Sequence, residues 1–212
     1  MTRAEKMLFL LYALCTRHTA KMQNMISFST SCLENPRCRE RFKNRHLVFS
    51  KCYARRQLMR QKTTREKYAA CTLFFTTVQL APDDVPPLFA RYLRFESFGD
   101  LINALQVKNY FTIAASAAIP AALWTKNPDI IAEAIAAGAV KPANLKIIYS
   151  VPEIDRRMTA AEKQEILKKY PFIDSFFLVE RAPDIMTCQK NCFFCGRCFD
   201  ITGGIQTVEK LK

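Results

Sequence analysis

The sequence predicts an α/β fold, a partial or open (β/α) barrel with mostly parallel strands, on three observations. Short apolar runs alternate with segments of helical periodicity between residues 91 and 180. Strand starts in that region recur roughly 25 to 30 residues apart, the spacing of βα units in a parallel sheet. The chain has 212 residues, half of them hydrophobic, with sixteen phenylalanines and only five glycines. That composition is globular and long enough to bury one sizeable core.

Residues 1–24 form an N-terminal extension. Its apolar run 7–15 (MLFLLYALC) imitates the core of a signal peptide, but basic residues follow where a small-residue cleavage site would stand. Leu14 is also too bulky to precede a lipidated cysteine, so the run is expected to be a docking helix. Cys15 in this run and Cys71 further on lie in apolar helical patterns and read as core packing. The (β/α) domain is expected over 25–182. It begins with a strand at 25–31 (MISFSTS), followed by an irregular loop at 32–38 rich in turn formers. Helical patterns cover 53–60 and 64–80; in the second, Tyr68, Cys71, Phe75 and Val78 recur at three- and four-residue steps before Pro82. The alternation is then regular. Strands are expected at 91–98, 120–124, 145–150 and 175–180, and helices at 101–118, 129–137 and 159–169, with Gly138 closing the second of these. No apolar run reaches the roughly 20 residues a membrane helix needs.

Residues 183–212 read as a cysteine-rich metal-binding segment packed on the barrel. Cys188, Cys192, Cys195 and Cys198 fall within eleven residues, separated by three, two and two others. Thiolates are ligands that Zn²⁺ and iron–sulfur clusters share, and Gly196 frees the backbone to curl the last one inward. Disulfides or inert buried thiols are the alternatives; disulfides need an oxidising compartment, whereas nine cysteines without a secretion signal point to a reducing cytoplasm.

Cys32, Cys38 and Cys52 form a second candidate metal set after the first strand. Polar residues just past strand C-termini make the site in (β/α) folds. Here these are Cys32 and Cys38, then Glu96 with Asp100, then Thr125, Lys126 and Asn127, then Ser150 with Glu153, and finally Glu180 with the cysteine-rich segment. All are expected on one rim, with Glu96, Gly99, Asp100, Thr125, Lys126 and Asn127 binding a cofactor. The bland alternatives are an ion pair from Glu96 to Arg91 or Arg94, and Asp100 as a helix cap.

The formal net charge of +13 is concentrated. Residues 1–67 carry sixteen Lys/Arg against four Asp/Glu, and the remainder is nearly balanced. Arg37, Arg39, Arg41, Lys43, Arg45, Arg55, Arg56 and Arg60 are the candidate contacts to nucleic acid or another phosphate-bearing ligand, with Tyr53 and Phe42 available for stacking. A solvated basic face is the alternative. His18 and His46 are the only histidines, which disfavours a histidine-based triad. There is no phosphate-binding glycine loop and no dinucleotide fingerprint.

Residues 28–32 (FSTSC), Cys38, 50–54 (SKCYA), 95–100 (FESFGD), 123–128 (LWTKNP) and the terminal cysteines resemble the gene-product-88-type domain of phages and mobile elements, over about residue 20 onward. A more distant likeness is to radical S-adenosylmethionine (SAM) enzymes, which are partial β/α barrels. That likeness implies a [4Fe–4S] cluster on Cys32, Cys38 and Cys52, SAM on its open iron, and Glu96 to Asp100 as the loop for the methionyl amine. The chain departs from the pattern: its gaps are five and thirteen residues, and the C-x-x-x-C-x-x-C spacing occurs only at Cys188, Cys192 and Cys195. A zinc-stabilised nucleic-acid-binding module, or an effector binding a host protein, is the non-enzymatic alternative.

Overall fold

The computed structural model describes residues 1–17, 24–184, 188, 191–200 and 206–211. It is an open α/β sheet whose strands lie in chain order. These are β1 (Cys15–Arg17), β2 (Met25–Phe28), β3 (Tyr92–Phe95), β4 (Ala121–Thr125), β5 (Leu145–Ile154), β6 (Ser175–Glu180) and β7 (Gln206–Lys210). β2 to β7 are all parallel, and β1 pairs antiparallel with β2 at the edge. Consecutive parallel strands joined by right-handed crossovers put the connecting helices on the same face. The other face, the helix-free face, receives none of them.

Side-chain alternation shows the two faces directly. Ile26, Phe28, Leu93, Phe95, Ala121, Leu123, Leu145 and Ile147 point toward the helices. They meet α1 (Arg3–Ala13) through Leu10, α4 (Lys62–Thr77) through Phe74 and Phe75, α5 (Ala104–Ala117) through Tyr110 and Ile113, and α6 (Pro128–Ala136) through Ile131. Their neighbours Met25, Tyr92, Ala122 and Ile148 face the opposite way and pack against Phe199, Cys192 and Cys198. The cysteine-rich segment is thus the cover of the helix-free face. α7 (Ala160–Lys169) starts at Thr159, whose hydroxyl accepts from the Glu162 N–H while Glu162 reaches back to the Thr159 N–H.

The expected elements recur with adjusted ends. The docking helix is α1, but it stops at Ala13, so Cys15 opens β1 instead of continuing a helix. The 32–38 loop contains a helix, α2 (Pro36–Arg41), with Asn35 accepting from the Cys38 N–H. α3 (Tyr53–Arg60) matches its expected range. The strand expected at 91–98 is cut short because Glu96 has left-handed backbone, φ 58°. Cys71 is buried on α4, and His18 lies outside the described residues.

Candidate metal centre and the rim around it

β2 runs into Ser29, Thr30 and Ser31, all buried, which deliver Cys32 to the C-terminal rim. α2 supplies Cys38 and the N-cap of α3 supplies Cys52. A small core of Phe49, Leu58, Tyr68 and Phe98 packs around these thiols. The Cys32 thiol donates a hydrogen bond to the Cys52 sulfur, and Cys38 lies close enough to sense the Cys52 charge. Cys52 is drawn below the ordinary thiol range, first by that hydrogen bond, with help from the Arg55 N–H 3.4 Å from its sulfur and the Lys126 ammonium. Cys32 is pushed up by the same hydrogen bond and by burial, and Cys38 by burial foremost. The first proton leaves this pair easily and the second is held.

The next rim residues form a closed network. Glu96 is buried and accepts from the Thr30 N–H and hydroxyl, from Gln106 Nε2 at 2.6 Å, and from the Tyr110 hydroxyl. Burial pushes its carboxyl up to about 7, against the Tyr110 and Thr30 hydrogen bonds. The anticipated ion pair to Arg94 is absent from this network; Arg94 stacks on Trp124 at 4.3 Å, on the helix-free face. Gly99 is required by close approach: a Cβ there would stand 2.5 Å from Thr30 Oγ1 and 2.6 Å from Glu96 Oε2. Asp100 accepts from the Thr125 hydroxyl at 2.6 Å and the Lys126 N–H at 3.1 Å, tying the β3 loop to the β4 loop. It is not a helix cap, since Asn103 caps α5.

The candidate cofactor residues and the first three cysteines therefore share one rim, across the ends of β2, β3 and β4. The four later cysteines do not join them. Phe199 stacks on Tyr92, the first residue of β3, at 4.4 Å, and Gly196 lies against the Tyr92 hydroxyl. Lys146, the second residue of β5, donates to the Asp200 carbonyl at 2.7 Å. The expectation of one rim took sequence order for spatial order; the segment after β6 folds back across the sheet instead. Within it Cys198 is held up at about 11 by burial and by the neighbouring Cys192 and Cys188, while Arg94 works the other way. The short helix α8 (Cys192–Cys195) ends at left-handed Gly196, as the curl at that glycine anticipated.

Among the described residues every cysteine with a described side chain is a free thiol, and no group of three or more His, Cys, Asp or Glu side chains closes into a metal-binding set. The donor types are those a soft metal takes: Cys32, Cys38 and Cys52 share one apolar cluster with Lys126 near, and Cys188 and Cys192 lie near Cys198 with Arg94.

The basic candidates divide. Arg37 pairs with Asp129 at 2.6 Å and Arg41 reaches Asn127, whereas Arg39, Lys43, Arg45, Arg56 and Arg60 are exposed. The two aromatics expected to stack on bases are engaged: Phe42 lies under Arg55, and the Tyr53 hydroxyl donates to the Ser97 carbonyl. Missed by the sequence reading is a polar patch on the helix-free face, where the hydroxyls of Ser27, Ser29 and Ser97 form a hydrogen-bonded set beside Arg94 and Trp124. Only the period-two alternation of β2 hinted at it. Among the described residues no helix is long and apolar enough to cross a membrane. No protein-family model, curated protein or solved structure gives a significant match to the chain.

Proposed function

We propose that this chain is a metal-binding protein of iron–sulfur type, with Cys32, Cys38 and Cys52 holding a [4Fe–4S] cluster at the C-terminal rim of the sheet. Cys188, Cys192, Cys195 and Cys198 hold a second metal, iron–sulfur or zinc. The observation that carries the reading is the Cys32–Cys52 thiol pair with Cys38 beside it, brought together from three segments without a disulfide. When bound, the cluster supplies one-electron chemistry, and three protein thiolates leave one iron open for an exogenous ligand such as S-adenosylmethionine. The chain's own residues do the rest. Lys126 and the Arg55 N–H stabilise thiolate charge at Cys52. Asp100 fixes the Thr125–Asn127 loop beside it, and the buried Ser27, Ser29 and Ser97 hydroxyls, bonded to one another, tie the ends of β2 and β3 together. The substrate on this reading carries phosphate, by itself or within a nucleic acid.

The test is anaerobic purification followed by iron, sulfide and zinc analysis. Iron and sulfide in equal amounts, lowered in Cys38→Ser, support the reading; a colourless protein with stoichiometric zinc and no iron sinks it. The exposed Arg39, Lys43, Arg45, Arg56 and Arg60 favour a second reading, a zinc-stabilised nucleic-acid-binding module without catalysis. Its affinity for DNA or RNA must fall steeply with salt, because phosphate contacts release counterions.

A further inference from the structure

The loop that joins β4 to α6 brings together cations from two parts of the chain. Asn127 is 1% exposed and is the N-cap of α6, yet its side chain does not cap the helix. Its Oδ1 is turned instead toward α2, accepting from Arg41 Nη1 at 3.2 Å and Arg37 Nη1 at 3.4 Å. Two guanidinium donors fix that oxygen as the acceptor, so the group left over is the Nδ2 donor, which is buried without a partner. A buried unsatisfied N–H₂ beside two guanidinium groups points to an acceptor ligand. The ammonium of Lys126 lies 5.4 Å from the centre of the Phe49 ring, and the Arg41 guanidinium lies 5.4 Å from the same ring. The amino end of α6, nine residues long, adds its positive potential. Two carboxylates oppose it: Asp129 holds Arg37 at 2.6 Å, and Asp100 stands 4.0 Å from Lys126. Among the described residues Arg41 has no carboxylate partner.

We infer that Arg41, Arg37, Lys126 and the Asn127 amide form an oxyanion site that takes a phosphate group at the rim beside Cys52. Guanidinium groups match phosphate geometry, and the orphan amide supplies a neutral donor that a diffuse basic surface lacks. As an account of the substrate this rests on the reading above; as a binding site it stands on its own geometry. The phosphate comes either from a small monoester or from a nucleic-acid backbone.

Calorimetric titration of the full chain at low salt with inorganic phosphate, a nucleoside 5′-monophosphate and a short single-stranded oligonucleotide tests it. Saturable phosphate binding is expected, weakened about tenfold or more in Arg41→Met, which removes a charged hydrogen bond. Asn127→Asp, which keeps both arginine contacts but replaces the amide donor by a negative oxygen, should weaken it at least as much. Lys62→Met, an exposed lysine at the start of α4 that belongs to none of the candidate contacts, should stay within about twofold. The tighter of the two organic probes names the source. Absence of saturable phosphate binding overturns the site, and so do equal losses in Lys62→Met and Arg41→Met, the mark of a diffuse basic field. Metal content measured on the same samples separates this from the cluster: phosphate affinity retained in iron-free protein leaves the oxyanion site standing while the cluster fails.

Discussion

Glu96 makes the fold sensitive to pH in a direction opposite to that of an ion-paired carboxylate. Its ordinary value is 4.5, and burial raises it to about 7 in the folded chain. Between those values the folded protein keeps a proton that the unfolded chain has already lost, so stability falls as pH rises. The full stability is present below 4.5, and the loss is complete above about 7. At roughly 1.4 kcal/mol per pKa unit the total comes to about 3 kcal/mol. The groups around it do not relay the effect. Tyr110 is raised well above its ordinary value by burial and stays a donor, Thr30 and Gln106 are neutral, and the Asp100 charge only adds to the rise. Urea unfolding at a series of pH values, in wild type and in Glu96→Gln, measures it. The Cys32–Cys52 pair also titrates, but it is common to both proteins and cancels in their difference. The advantage of wild type over the variant should shrink by about 3 kcal/mol between pH 4.5 and 7 and then level off. A difference that does not change with pH refutes the reasoning.

Three further outcomes follow from the same geometry. Gly99→Ala forces a Cβ against Thr30 and Glu96 and should cost about 1–3 kcal/mol, seen as a lower urea midpoint with an unchanged slope. Lys146→Met removes the ammonium that holds the Asp200 carbonyl; the segment around Cys192–Cys198 should then be cut by protease well before the helices, with stability down by about 1–3 kcal/mol. In metal-free protein at neutral pH, iodoacetamide should modify Cys52 ahead of Cys38, since Cys52 is the depressed thiol and Cys38 is buried and raised; mass spectrometry of the quenched reaction gives the order.

The parallel strands from β2 to β6 and their helices were legible because each strand is an apolar run and each helix carries a burial stripe. β7 was not: Gln206–Lys210 (QTVEK) has one large apolar residue, Val208, and among the described residues it pairs with β6 alone. β1 (CTR) was not legible either, since only its Cys15 belongs to the apolar run, most of which is helical, and Thr16 and Arg17 give no strand pattern. Locally, the rim could be read from residue types at strand ends, which is why Cys32, Glu96, Asp100 and Thr125 were anticipated together. What spacing cannot say is which polar groups satisfy each other: Glu96 and Asp100 turn inward to Thr30, Tyr110 and Thr125. Nor can it say that Asn127 sends its oxygen to two arginines, since these lie some ninety residues away.

The cover of the helix-free face follows β6 in the chain, so the ribosome releases it after β2 to β6 and their helices. Until Phe199 reaches Tyr92 and Trp124, a nascent sheet presents aromatic side chains to the tunnel exit and to whatever chaperone waits there. Ribosomes stalled just beyond Glu180 would hold that unfinished species for inspection.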